Sequence, residues 1–96
     1  MFILVAYDVA TMDKAGTRRL RRVARACKDY GQRVQNSVFE CSVTMEQLVR
    51  LRSELLGLIV LESDSLRFYF LGNNWEHRVE HFGSKSITPI DSPLIL

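Results

Sequence analysis

Hydrophobic and polar residues are arranged along the first third of this chain as one strand followed by one helix. Phe2–Tyr7 is a continuous apolar run of strand-forming residues, as expected of a central strand that is buried on both faces. Asp13 is placed to cap a helix over Lys14–Tyr30, and Gly31 is predicted to end that helix in the left-handed conformation. The helix has an apolar stripe at i, i+3, i+4 and i+7, made of Leu20, Val23, Ala24 and Cys27.

The rest of the chain predicts further strands around a second helix. Gln32–Val43 is extended in character, and Asn36-Ser37 is a weak point that bends this segment or divides it into two strands. Thr44–Gln47 is a capping box, and the helix that it opens is closed by Gly57. A turn over Glu62-Ser-Asp-Ser65 precedes an alternating strand at Leu66–Leu71. The apolar residues at helical spacing in the second helix are Met45, Leu48, Leu51 and Leu55.

The order of these elements is strand, helix, strand, strand, helix, strand, which is the βαββαβ pattern of a ferredoxin-like domain. We therefore predict an α+β fold with both helices on one face of an antiparallel sheet. Residues 1–96 are expected to form a single domain, with a core unit at 1–71 and a C-terminal extension at 72–96. In that extension, Arg78–Phe82 is a candidate fifth strand, and Ile87–Leu96 suits an extended edge or tail because it contains two prolines. An open sheet face and an apolar tail predict a homodimer with the extension at its interface.

Charge is distributed unevenly along the chain, although the net charge is only +2. Residues 14–33 carry eight basic side chains and one acidic side chain, whereas the remainder carries five basic and ten acidic ones. Such local polarity favours a polyanionic partner, and arginine suits bidentate contacts with phosphate. The alternative is a solubilising face, but such faces normally mix both signs of charge. The basic residues of the first helix are Lys14, Arg18, Arg19, Arg21, Arg22, Arg25 and Lys28.

Asp8 is the second candidate for chemistry, because it ends a buried strand and strand ends are where ligand groups tend to project. The alternative is a turn or capping aspartate. One carboxylate binds magnesium poorly, since a hard cation takes several oxygen ligands. A two-fold axis that places Asp8 beside its symmetry mate would supply two carboxylates.

The histidines, cysteines and first residues exclude several classes of protein. His77 and His81 lie four apart in a segment with strand character, so they are weak candidates for metal ligands. Cys27 and Cys41 lack C-x-x-C spacing, and we expect free buried thiols in a reducing compartment. The first apolar run is too short for a signal peptide or a membrane span, so we expect a cytoplasmic protein with no membrane partner.

Three segments together resemble a known family. Val5-Ala-Tyr-Asp-Val9 precedes the arginine-rich helix, and Gly31-Gln-Arg-Val-Gln-Asn-Ser-Val-Phe-Glu40 follows it. Asp64-Ser-Leu-Arg-Phe-Tyr-Phe-Leu71 comes later. Over residues 1 to about 82, the chain resembles the Cas-two family of small CRISPR adaptation proteins, and Gly31–Glu40 is the most specific part of the match.

The resemblance implies a ferredoxin-like homodimer in which the C-terminal strand of each chain is exchanged into the partner's sheet. It implies that the two Asp8 carboxylates share one Mg²⁺ or Mn²⁺, which makes Asp8 both the metal ligand and the catalytic position. It also implies a nucleic-acid contact for Arg33 and an interface role for Phe39. The nucleic-acid-binding candidates are Arg33 from the resemblance and, from the charge pattern of the first helix, Arg18, Arg19, Arg22 and Arg25.

Two functions follow from the resemblance, and the residues support a third. Some members are metal-dependent endoribonucleases or DNases, so the expected activity is hydrolysis of phosphodiesters in antiviral defence. Other members are non-catalytic scaffolds that bind double-stranded DNA and bridge two dimers of the CRISPR integrase during spacer capture. No convincing general base is evident in the sequence, which argues against a fast nuclease. Without the family, a regulatory module that binds a small anion remains an alternative.

Overall fold

The computed structural model describes residues 1–72 and 78–84, which form five strands and two helices. Both predicted helices and all predicted strands are present, including the candidate fifth strand. The predicted tail at Ile87–Leu96 lies outside the described residues. The elements are β1 (Phe2–Asp8), α1 (Lys14–Lys28), β2 (Gly31–Gln35), β3 (Val38–Ser42), α2 (Met45–Leu58), β4 (Ser65–Leu71) and β5 (Arg78–Gly83).

The strands form one sheet in the order β2-β3-β1-β4-β5, and every neighbouring pair is antiparallel. The first four strands have the arrangement expected of a βαββαβ unit, which confirms the predicted ferredoxin-like fold. The fifth strand extends this unit, since β5 pairs with β4 of the same chain from Ser65↔Gly83 to Phe70↔Arg78. Exchange of the C-terminal strand across a homodimer stays a prediction.

The core lies between α1, α2 and one face of the sheet. Successive strand residues point to opposite faces, so Ile3, Val5 and Tyr7 of β1 are buried under the helices. Leu4 points the other way and is still only 3% exposed, which agrees with a central strand buried on both faces. Each aliphatic side chain buried in this way contributes about 1.5–3 kcal/mol to folding. The largest fully buried side chains include Phe39, Phe68, Leu48, Leu51, Leu55, Leu66 and Val23.

Helix α1 begins as predicted but ends two residues earlier. The Asp13 carboxylate accepts a hydrogen bond from the Gly16 amide at 2.8 Å, which confirms the N-cap. The helix ends at Lys28, and the predicted left-handed Gly31 is wrong, because Gly31 is the first residue of β2 and has no positive φ. A Cβ at this position would collide with the Glu40 carbonyl oxygen and the Cys41 sulfur. Glycine is therefore required there by the close approach of β3.

Helix α2 begins with the predicted capping box, in which Thr44 and Gln47 exchange hydrogen bonds between side chain and backbone. Leu48, Leu51 and Leu55 are fully buried, as their spacing predicts. Met45, at the first helical position, is instead 58% exposed. The helix ends at Leu58, one residue beyond the predicted glycine.

Candidate metal position and basic helix face

Asp8 is the last residue of β1 and lies opposite Ser65 of β4. Because side chains alternate along a strand, Asp8 shares a face with Leu4 and Ala6, opposite to the residues that pack under the helices. Its side chain is exposed, as a residue that contacts a cation must be. The structure thus places the predicted metal ligand at one end of the sheet face that α1 and α2 do not cover.

A divalent cation at Asp8 would need further oxygen ligands from protein or water. Within residues 1–72 and 78–84, three or more His, Cys, Asp or Glu side chains nowhere come together as a ligand cluster. Magnesium keeps several waters and needs only one or two carboxylates from protein, so exposed Asp8 fits as one ligand.

Six of the seven basic residues of α1 are exposed and form what we call the basic face: Lys14, Arg18, Arg21, Arg22, Arg25 and Lys28. The first turn contains no acidic side chain, and Lys14 stands at the positive end of the helix dipole, where a cation is unfavourable. Beside this turn is an open depression of about 470 Å³, lined in part by Lys14, Arg18 and Arg21. This arrangement lowers the stability of the helix and provides a favourable position for an anion.

Arg19 differs from the other arginines of α1, because it forms an ion pair with a buried carboxylate, and its predicted contact with nucleic acid stays a prediction. Arg19 Nε donates to Asp64 Oδ2 at 3.0 Å, and Arg19 Nη2 donates to Asp64 Oδ1 at 3.4 Å. The Arg19 side chain is only 20% exposed, and that of Asp64 is fully buried. Arg19 is therefore engaged in an internal ion pair rather than in the basic face.

Asp64 is the functional candidate that sequence reasoning missed, because a carboxylate within Glu62-Ser-Asp-Ser65 looks like an ordinary turn residue. In the structure it accepts hydrogen bonds from the Val60 amide at 2.8 Å and the Ala10 amide at 3.0 Å. The Ser63 hydroxyl donates to it at 3.2 Å. Burial raises the pKa of the carboxyl, but these amides and the guanidinium outweigh burial and hold the pKa below its usual value.

Arg33 and Phe39, which were expected to contact nucleic acid and a partner chain, lie together. The Arg33 guanidinium is 5.2 Å from the centre of the Phe39 ring, in a cation–π contact. Phe39 is fully buried and stacks on Tyr7 with ring centres 6.3 Å apart. A fully buried side chain has no surface to offer a second chain, so the structure assigns Phe39 to the core, whereas Arg33 remains exposed.

The histidine and cysteine predictions have different outcomes. His77 lies outside the described residues, whereas His81 accepts a hydrogen bond at Nδ1 from Arg67 Nε at 3.1 Å. Cys27 and Cys41 are free and buried, as expected. Burial, followed by the charge of the neighbouring thiol, raises the pKa of Cys27 to about 12. Burial raises that of Cys41 to about 11, so neither thiol is a nucleophile at neutral pH.

Neither α1 nor α2, the helices of the described chain, combines the length and the apolar character needed to cross a bilayer. The fold, the strand-end carboxylate and the arginine-rich helix define a small α+β protein of ferredoxin-like topology with a cationic helix surface. The chain belongs to the CRISPR associated protein Cas2 family, whose model matches residues 1–79.

Relatives and a solved structure agree with this membership. The chain is 57% identical over 96 residues to the CRISPR-associated endoribonuclease Cas2 of Chlorobaculum tepidum, with 100% of both chains covered. It is 56% identical over 95 residues to the CRISPR-associated endonuclease Cas2 of Halalkalibacterium halodurans, with 99% of both covered. The crystal structure of Streptococcus pyogenes Cas2 at pH 6.5 matches with a TM-score of 0.72 and 57% identity, covering 78% of this chain and 90% of that one.

Proposed function

We propose that this protein is a nuclease of the CRISPR system, in which a homodimer binds nucleic acid through α1 and hydrolyses phosphodiesters at Asp8. The observation that carries the proposal is the position of Asp8. It is an exposed carboxylate at the end of a central strand, six residues before the basic residue that begins α1. Two relatives with 56% and 57% identity bear the names endonuclease and endoribonuclease, which supports the same activity here.

Nucleic acid would bind along the basic face by its phosphates. Arginine donates two parallel hydrogen bonds to a phosphate, and Arg18, Arg22 and Arg25 all project from the exposed side of α1. Phosphate contacts fix the position of a nucleic acid without reading its sequence. Either single-stranded RNA or DNA therefore fits this surface, and Arg33 adds a further exposed cation at β2.

The homodimer is proposed to form on the sheet face that carries Asp8. At the other end of this face, Phe2 is paired with Leu71, and the two apolar side chains are 55% and 36% exposed. A second copy packed there about a two-fold axis would bury these side chains and bring a second Asp8 to the first. The tail at Ile87–Leu96 is proposed to contribute to the same interface.

Paired Asp8 carboxylates would hold one Mg²⁺ or Mn²⁺, with the remaining positions left for water and phosphate. When bound, the cation supplies Lewis-acid polarisation of the phosphodiester. Asp8 would act as a ligand and not as a proton carrier, while the arginines of the basic face hold the flanking phosphates. His81 lies on the same sheet face, but its Nδ1 already accepts a hydrogen bond from Arg67, so that atom is not free to take a proton.

A second candidate function is a scaffold, which is favoured because no cluster of three or more metal-ligating side chains occurs within residues 1–72 and 78–84. In that case the basic faces of a dimer hold double-stranded DNA by its backbone. Other surfaces of the dimer would dock the CRISPR integrase.

Cleavage assays with Asp8→Asn separate the two functions. The parent should cleave single-stranded RNA or DNA with Mg²⁺ or Mn²⁺ and not in excess chelator, and Asp8→Asn should lose this activity while it still folds. Asp29→Asn is the matched control, because it neutralises an exposed aspartate at the far end of α1. Undiminished cleavage by Asp8→Asn, or equal cleavage in chelator, would contradict the nuclease proposal. Little cleavage by the parent, with spacer integration supported by both forms, would favour the scaffold.

A further inference from the structure

Asp64 is a fully buried carboxylate that the proposed hydrolysis does not use. An ionised carboxylate is costly to remove from water unless nearby groups donate hydrogen bonds and carry opposite charge. Asp64 receives both, from two backbone amides, one hydroxyl and the Arg19 guanidinium. The groups that it joins come from parts of the molecule that are distant in sequence.

One of these partners belongs to the segment that follows Asp8. The Ala10 amide, two residues beyond Asp8, donates to Oδ1 of Asp64 at 3.0 Å. The residue after Asp64 is Ser65, which is the ladder partner of Asp8 in β4. Asp8 is thus linked to Asp64 in two ways. Asp8 pairs with Ser65, which follows Asp64, and the segment after Asp8 is held by the Ala10 hydrogen bond.

Another partner, Arg19, connects Asp64 to the basic face. Arg19 lies directly after Arg18 and one turn before Arg22 and Val23, and its Nε is 3.0 Å from Asp64 Oδ2. This ion pair ties α1 to the residue that precedes Ser65, the ladder partner of Asp8. The helix that carries Arg18 and Arg22 is therefore connected to the end of β1 through Asp64.

We propose that Asp64 is a positioning residue that holds Asp8 and the basic helix in register, so that a bound phosphodiester lies next to the cation. This inference rests on the proposed function and deepens it. Reaction rates respond steeply to such geometry, since a displacement of about 1 Å can reduce a rate about 100-fold. A residue that served only to stabilise the fold would leave the chemistry of the folded molecules unchanged.

The test compares Asp64→Asn and Arg19→Gln with Arg52→Gln in the full-length protein. Arg52 and Glu80 form a similar two-point ion pair, at 3.0 and 3.1 Å, but it joins α2 to β5. Their side chains are 26% and 27% exposed, so the control also removes a half-buried charge pair. Each variant is measured for Mn²⁺ affinity, for kcat and KM on single-stranded RNA, and for RNA affinity in chelator.

We expect Asp64→Asn and Arg19→Gln to lower kcat by about tenfold or more, with KM changed by less than about twofold, as displacement of positioned groups predicts. Mn²⁺ affinity should fall by about threefold or more, because Asp8 is less well fixed. Arg52→Gln should leave all these values unchanged, and Arg19→Lys should recover part of the loss. Arg19→Gln keeps both backbone hydrogen bonds to Asp64, so it remains informative if Asp64→Asn does not fold.

The outcomes distinguish this inference from the function on which it rests. A parent whose Mn²⁺ affinity and cleavage equal those of Asp8→Asn would overturn the proposed function and this inference with it. A parent that binds Mn²⁺ and cleaves, with Asp64→Asn and Arg19→Gln indistinguishable from it, would overturn this inference alone. Equal losses in Arg52→Gln would also overturn it, because a general effect of ion pairs would then explain them.

Discussion

Helices α1 and α2 cover the same face of one sheet, yet their exposed sides differ in charge. Helix α2 has a capping box, an acid in its first turn and an i,i+4 ion pair between Glu46 and Arg50 at 3.1 Å. Each of these features stabilises a helix. Helix α1 has a capping aspartate but no acid in its first turn, and Lys14–Lys28 contains seven basic residues and no acidic one. This difference indicates that the polar residues of α2 mainly stabilise the helix. Those of α1 form a cationic surface and make the helix less stable.

The largest expected effect is a loss of stability when a core-facing side chain of α2 is shortened. Leu51→Ala removes a fully buried side chain and should lower the free energy of unfolding by about 2–5 kcal/mol. Denaturant titration measures this change, and RNA affinity at low denaturant should stay within about twofold of the parent. If the affinity fell as strongly as the stability, α2 would not be only a structural helix.

The next effect concerns the basic face. Replacing Arg18, Arg22 and Arg25 with glutamine should weaken nucleic-acid binding by at least about tenfold near physiological salt, since phosphate contacts dominate such affinities. With single-stranded RNA, the dependence of log affinity on log salt should become shallower by about 0.7 for each contact removed. Arg50→Gln on α2 is the control and should leave both quantities unchanged. Equal losses in the control would remove the distinction between the helices.

The ion pair between Arg19 and Asp64 should make the stability of the protein depend on pH in the acid range. The pKa of Asp64 is lowered in the folded state, so its contribution to stability is present above the ordinary carboxyl value of 3.8. That contribution is lost as the pH falls below this value and Asp64 becomes protonated in the folded state. The parent should therefore lose up to about 1.4 kcal/mol per pH unit more than Asp64→Asn in this range. Thermal unfolding from pH 5 downwards measures the difference, and parallel profiles would contradict the assignment.

The smallest expected effect is a change in stability caused by a single charge in the first turn of α1. Lys14→Glu places an acid in the first turn of α1, as in α2, and should raise the free energy of unfolding by about 0.3–1 kcal/mol through the helix dipole. The same change should weaken nucleic-acid binding, so that stability and affinity move in opposite directions. Chemical denaturation and a binding titration on one preparation test both, and a variant that is less stable than the parent would refute the trade-off.

The elements of the fold could be predicted because each leaves a periodic apolar pattern, and the position of Asp8 followed from its place at the end of β1. The interaction of Arg19 with Asp64 could not be predicted, because the two residues are 45 positions apart and meet only when α1 packs beside the loop before β4. Arg19 looks like any other arginine of the helix in the sequence. Gly31 was misjudged for a similar reason, since its requirement comes from the approach of β3 and not from the end of α1.

The reactivity of the two buried thiols measures how often the native state opens locally. Cys27 lies on α1 and Cys41 on β3, and both face the layer between helix and sheet with no exposed surface. A thiol reagent can reach them only when that layer opens, because the folded chain protects them by burial and keeps them protonated at neutral pH. Their alkylation rates therefore report how often α1 separates from the sheet, including while nucleic acid is bound to its outer surface.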